Sequence, residues 1–384
     1  MSLRGGFGRQ PELTIGQKLR EVNWGLVLLV TAVASIGFAM LFSAAGGDLD
    51  PWASRQMARF GVGLALMLAA ATVDFRLWLR WAYPAYGVGL VLLIAVETVG
   101  AIGMGAQRWI QIGPLQLQPS EVMKISLVLA LARWFHYTPA EAMGKLRTIA
   151  PPLLLIGAPV LLVLKQPDLG TAMLMIMSSA AVMFVAGVRI WKFVLAGLAG
   201  LGALPIAWSM LRDYQKQRVL TFLDPESDPL GAGYHITQSK IALGSGGVFG
   251  KGYMQGTQAH LSFLPEHQTD FIFTMLAEEF GLVGCLALLA LYILILVYCF
   301  GVAIRCRHQF GRLVAMGIAS TFFLYVFINM AMVMGLVPVV GVPLPLVSYG
   351  GTAMMTLLFG FGLLIGAWVH RDAQIGRRPG LDGD

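Results

Sequence analysis

The stretch WGLVLLVTAVASIGFAMLFSAA, from Trp24 to Ala45, contains no charged residue. A helix rises 1.5 Å per residue, so about 20 apolar residues cross the roughly 30 Å hydrocarbon layer of a bilayer. The segment before it is polar and basic, with Arg4, Arg9, Lys18 and Arg20. A cleaved leader would carry a shorter apolar core and a small-residue cleavage site. Trp24–Ala45 therefore reads as a retained first membrane span.

Nine further apolar runs follow, at 57–73, 82–100, 119–135, 148–164, 169–187, 190–210, 271–304, 312–338 and 351–369. The run at 271–304 is longer than a bilayer requires and is expected to tilt or protrude. The expected fold is an all-α integral membrane protein of about ten transmembrane helices. It forms one polytopic domain over 1–384, with tails at 1–23 and 370–384. Most of the 27 Lys and Arg fall in segments that share a side with the N-tail. The positive-inside bias then puts both termini in the cytoplasm. It leaves 211–270, between the seventh and eighth spans, as one large extracytoplasmic loop. The aromatic and aliphatic residues of this loop, such as Tyr234 and Phe249, predict an ordered, partly membrane-resting segment.

Composition agrees. Hydrophobic residues make up 57% of the 384 and charged residues 12%, about half the charged share of a soluble domain. The net charge of +7 is dispersed between apolar runs and forms no basic stripe, which excludes a nucleic-acid binder. Cys285, Cys299 and Cys306 have neither disulfide-framework nor Cys-x-x-Cys spacing and read as packing residues.

Charge inside a bilayer is costly and each instance needs a reason. Glu121 and Lys124 lie three apart on one helix face. They are either a self-neutralising pair or a cation aimed at an anionic substrate. Asp168 stands where an N-cap would start the sixth span. Asp270 begins the eighth, as an N-cap, a dipole partner, or a carboxylate meeting substrate beside the long loop. On an ideal helix from Asp270, Glu278 lies about 80° round and Glu279 nearly opposite, so Glu278 is the better placed second carboxylate. Gly244–Gly252 (GSGGVFGKG) lacks the first Gly and the Ser/Thr of a Walker A loop. It reads as a pyrophosphate nest carrying Lys251, or as a flexible hinge. The irregular Pro338–Gly351 segment must be buried in protein or line a cavity.

Taken together, these runs resemble the SEDS family of bacterial cell-wall polymerases, in wording closest to its elongation branch. The matches are Gly105–Trp109 (GAQRW), Gln118–Glu121 (QPSE), Gln166–Thr171 (QPDLGT), Asp224–Ile236 (DPESDPLGAGYHI), Thr269–Phe273 (TDFIF) and Pro343–Gly351 (PLPLVSYGG). One departure stands out. The family usually has His before the Thr-Asp pair, whereas here Gln268 holds that place and His267 precedes it. No role is assigned to either.

The resemblance implies a peptidoglycan glycosyltransferase of the bacterial cytoplasmic membrane, polymerising lipid II into β-1,4 glycan strands by an inverting displacement. It implies Asp270 as general base, with Arg55, Arg108 and Lys124 as pyrophosphate-binding cations. Lys251 is a weaker candidate for that role, as are Arg218 and Lys240. Glu121, Asp168 and Glu278 are supporting residues. A divalent cation could assist, but no ligand cluster dictates one. The implied partners are a class B penicillin-binding protein and other membrane proteins of the elongation complex. A lipid II flippase is the competing reading, since apolar bundles with broken helices also describe transporters.

Overall fold

The structure is a computed structural model and describes residues 14–103, 106–113, 115–211, 213–224, 232–257, 268–373 and 375–376. A short helix, α1 (Ile15–Glu21), is opened by a Thr14–Gln17 capping box. The long helices follow as α2 (Trp24–Ala44), α3 (Ala53–Thr72) and α4 (Phe75–Val99). Three short strands come next: β1 (Ala101–Gly103), β2 (Ala106–Ile112) and β3 (Leu115–Leu117). They form an antiparallel sheet in the order β1-β2-β3. Then come α5 (Pro119–Tyr137), α6 (Leu146–Lys165), α7 (Leu169–Val185) and α8 (Ile190–Met210). The shorter α9 (Asp213–Leu223) and α10 (Ala232–Ser245) precede α11 (Ile272–Arg305), α12 (Gln309–Val333) and α13 (Gly351–Val369).

Each of the ten apolar runs forms a helix. Six of these helices are long and apolar enough to cross a membrane by length and composition, and α7 and most of α8 are shorter apolar helices. The all-α expectation holds, with the small sheet as an addition between α4 and α5. The described part of 211–270 carries two helices, α9 and α10, followed by turns that include the glycine loop. Ser239 of α10 bonds Thr274 of α11 (3.0 Å) and the Val333 carbonyl of α12 (2.8 Å), which docks α10 into the bundle.

Burial sorts the helices into an inner and an outer layer. α5, α12 and α13 are buried along most of their length. The outer helices turn apolar side chains outward, such as Leu28, Val91 and Leu154. α8 exposes Ile190, Val194, Leu195, Leu198, Leu201 and Leu204. That is a surface suited to lipid, where exposed apolar area carries no penalty.

Hydrogen bonds gather the helix ends into two groups, as alternating spans require. At the end bearing α1, Lys18 bonds the Thr72 carbonyl and Arg133 bonds those of Leu79 and Arg80. Trp134 bonds the Thr148 carbonyl, and Arg371 pairs with Glu21. At the opposite end, Ser43 meets Glu279 and Gln56 meets Ser348.

At 34 residues, α11 would be about 51 Å long as one straight rod. It is not straight: Gly281 has φ 63° and ψ −159°, which breaks the helix. Residues 272–279 are wholly buried in protein. Beyond the break, Leu282, Val283, Leu286 and Val297 face outward. The expected tilt or protrusion is thus replaced by a buried half-helix joined to a span of ordinary length.

A break leaves carbonyls of the first half and N–H groups of the second without helical partners. The glycine loop supplies them. The backbone N–H groups of Lys251 and Gly252 donate to the carbonyls of Glu278 and Glu279 (3.0 Å each). The N–H groups of Leu282 and Val283 donate to the carbonyls of Gly247 (3.0 Å) and Val248 (3.1 Å). These four bonds commit the loop's backbone to α11, so it is not a free hinge, and two of its N–H groups, those of Lys251 and Gly252, are taken by α11 carbonyls.

Candidate active site

The site end of the bundle is organised around the turn that enters α11. Phe271 is the N-cap of that helix and has no side-chain cap. Asp270 therefore lies one residue before the N-cap and is part-exposed. Three successive carbonyls of the turn accept hydrogen bonds from two other elements. Gln268 O accepts from the Tyr349 N–H (2.9 Å), Thr269 O from the Ser348 hydroxyl (2.6 Å) and Asp270 O from the Asn329 amide (3.0 Å). Ser348 in turn accepts from the Leu344 N–H (2.7 Å), closing the irregular segment on itself. Pro338–Gly351 is thus the wall against which the aspartate turn is fixed.

The wall also faces the carboxylate. Gly341 has φ 71°, and a Cβ placed there would lie 3.5 Å from Asp270 Oδ2. Gly170, in the first turn of α7, packs against Val340, where a Cβ would approach its carbonyl to 2.7 Å. Asp168 caps α7, its carboxylate accepting from the Thr171 N–H (3.1 Å) and hydroxyl (2.9 Å). The cap thereby places the start of α7 beside the wall that Asp270 faces.

Cations arrive from separate elements. Arg108 on β2 donates to the carbonyls of Gln166 (3.0 Å) and Pro167 (2.5 Å), so the strand fixes it over the loop leading to Asp168. Arg218 on α9 reaches the Val339 carbonyl (3.3 Å). Arg59 on α3 stacks over the Tyr349 ring at 5.0 Å, close beside Gly351. Sequence reasoning did not single it out. Its spacing from Arg55, one helical turn on the same face, was the available signal. Arg55 itself is exposed at the start of α3, and Lys240 is exposed on α10.

Two candidate cations already have carboxylate partners. Lys124 pairs with Glu121 at 2.7 Å, both buried. The Tyr325 hydroxyl completes a triad, donating to Glu121 Oε1 (2.9 Å) and contacting the ammonium. The Lys124 ammonium also lies 4.5 Å from the Tyr325 ring centroid. The spacing gave the Glu–Lys pair, whereas Tyr325, 201 residues from Lys124, left no local signal. Lys251 pairs with the fully buried Glu278 at 2.6 Å, and Thr257 donates to the same oxygen through its N–H and its hydroxyl. Glu278 is thereby turned toward the glycine loop. Gln268 supplies a carbonyl to the turn, and His267 lies outside the described residues. Among the described residues, no three His, Cys, Asp or Glu side chains gather as a metal-binding group.

Fold and site together define a polytopic helical membrane protein with a part-exposed aspartate in a turn fixed at one end of the bundle. The chain belongs to the FtsW/RodA/SpoVE family, whose model, described as cell cycle protein, matches residues 23–373. It is 52% identical over 274 residues to the peptidoglycan glycosyltransferase MrdB of Escherichia coli K12, covering 71% of this chain and 73% of that one. Among solved structures, it resembles a chain from a study of how a peptidoglycan synthase complex coordinates polymerisation and crosslinking. That match has a TM-score of 0.79 and 36% identity and covers 92% of this chain and 99% of the other. The rod shape determining protein RodA of Thermus thermophilus matches with a TM-score of 0.70 and 33% identity, over 91% and 97% of the two chains.

Proposed function

We infer that this chain is a peptidoglycan glycosyltransferase that polymerises lipid II on the outer face of the bacterial cytoplasmic membrane during cell elongation. The observation that carries the reading is the Asp270 turn. A part-exposed carboxylate, held through three successive backbone carbonyls, sits at the bundle end opposite the basic N-terminal segment. The positive-inside bias makes that the outer end, with ten spans and both termini inside.

The chemistry follows from the substrate. The donor sugar is α-linked to pyrophosphate and the product bond is β, so one displacement inverts the anomeric carbon. Asp270 takes the proton of the acceptor 4-hydroxyl as its oxygen attacks that carbon. The bond to pyrophosphate breaks, and undecaprenyl pyrophosphate leaves with the electron pair. Pyrophosphate is a good leaving group, so fixed cations suffice where an ordinary glycoside would need a general acid. On this reading Arg55, Arg59, Arg108 and Arg218 supply those cations. Lys124 and Glu121 order the core behind them, and Asp168 orients the start of α7. Lys251 and Glu278 hold the glycine loop in the break of α11. A divalent cation, if it takes part, would be held by single carboxylates together with the substrate phosphates.

The partner is a class B penicillin-binding protein that crosslinks the new strand, alongside other membrane proteins of the elongation complex. The test is polymerisation of fluorescent lipid II by the purified chain with that transpeptidase, read as a glycan ladder. A ladder that depends on this chain is expected. Transport of labelled lipid II into sealed vesicles with no ladder would favour a flippase instead.

A further inference from the structure

We propose that Asn329 is a positioning residue for Asp270, acting through the backbone of the aspartate turn; the inference rests on the reading of Asp270 as the base. Asn329 lies on α12 and is fully buried. A buried carboxamide in an apolar helix needs partners. Its Nδ2 donates to Asp270 O (3.0 Å) and to Val342 O (2.7 Å). Both partners are carbonyls and can only accept, so the amide nitrogen must face them and the orientation is chemically fixed.

These two carbonyls belong to the two pieces of chain that form the site. Asp270 carries the carboxylate, and Val342 follows Gly341, where an added Cβ would lie 3.5 Å from Asp270 Oδ2. One side chain therefore sets the gap between the aspartate and the surface it faces. Ser348 and Tyr349 also bind the turn, but both belong to the wall itself. Asn329 ties turn and wall together from a third element, a buried helix. Asn329 Oδ1 is buried with no hydrogen-bond partner among the described residues. The residue is thus held by its two donors alone, an arrangement that spends an unsatisfied acceptor to fix two backbone atoms.

The test compares Asn329→Asp, Asn329→Leu, Asn329→Ser and Ser348→Ala with wild type and Asp270→Asn, in steady-state lipid II polymerisation by the full chain with its transpeptidase partner. Asp keeps the shape but, when ionised, offers no donor. Leu keeps the volume, and Ser keeps one short donor. A misplacement of about 1 Å costs on the order of 100-fold in rate. The expectation is a kcat lower by about 10- to 100-fold in the Asp and Leu variants, with KM within about 2-fold of wild type. Ser should retain an intermediate kcat, and Ser348→Ala should show the same split in milder form. Thermal unfolding of each purified variant separates this from instability. Wild-type kcat in the Asn329 variants, or a loss matching only the loss of folded protein, overturns the proposal. If Asn329→Asp and Asn329→Leu do not fold, an unreduced kcat in Asn329→Ser and Ser348→Ala overturns it equally. An active Asp270→Asn would instead overturn the underlying base assignment, whatever Asn329 does.

Discussion

Gly281 and Gly250 lie against each other across the break in α11, and neither can carry a side chain. A Cβ on Gly281 would overlap Gly250 N and Val248 O, and one on Gly250 would overlap the Glu279 carbonyl. Both also have positive φ, 63° and 79°. Gly281→Ala and Gly250→Ala should each cost about 2–5 kcal/mol, from strained backbone and overpacking together. Gly61, exposed within α3 with nothing near its would-be Cβ, is the control. Gly61→Ala should stabilise by about 0.5–1 kcal/mol. Thermal unfolding of the purified variants reads both signs.

The Glu121–Lys124–Tyr325 triad predicts a non-additive pair. Removing one buried charge strands the other at about 3–5 kcal/mol. Lys124→Met alone should therefore destabilise strongly, and Glu121→Leu with Lys124→Met should be more stable than Lys124→Met alone. Unfolding midpoints of the single and double variants decide it. Additive losses would mean the pair does not share a site.

Asp168 separates capping from chemistry. Asp168→Ala should cost about 1 kcal/mol through loss of the Thr171 bonds, whereas Asp168→Asn should keep most of the cap. If Asp168 also orients a cation through its charge, Asp168→Asn will polymerise more slowly at near-normal stability. Polymerisation rate beside unfolding temperature shows which holds.

His308, in the α11–α12 connection, predicts a pH dependence. Burial, with His136, His370 and Arg312 adding positive charge nearby, pushes its pKa from 6.5 down to about 4. Its Nδ1 accepts from the Gly311 N–H (2.9 Å), a bond that requires the unprotonated nitrogen. Between pH 6.5 and about 4 the unfolded chain binds a proton that the folded chain refuses, so stability falls as pH drops through that window. The loss reaches about 3 kcal/mol. His308→Asn keeps a capping acceptor and should flatten the fall in unfolding temperature between pH 7.5 and pH 4.5.

What the sequence revealed and what it hid divide along physical lines. The ten helices were legible because each is an apolar run bounded by polar residues. The Asp168 cap and the Glu121–Lys124 pair were legible because their partners lie three residues away. The break at Gly281 was not, since its cause is the distant loop 246–252, whose bonds make the break tolerable. Gly281 alone, amid an apolar run rich in leucine, looks like any membrane-helix glycine. Helices α9 and α10 were hidden by polar composition, because their order comes from docking, as with Ser239 on Thr274 and Val333. Tyr325 and Asn329 read as ordinary polar residues of a span, since their roles arise only when α12 packs beside α5 and the aspartate turn.

The central claim, that Asp270 is the base of a glycan polymerase, is tested most directly by one substitution. Purified wild type and Asp270→Asn, each with the transpeptidase partner, are given fluorescent lipid II and compared on a glycan gel. Wild type should give a ladder and Asp270→Asn none, with both proteins folded and bound to the partner. A ladder of comparable intensity from folded Asp270→Asn would contradict that claim.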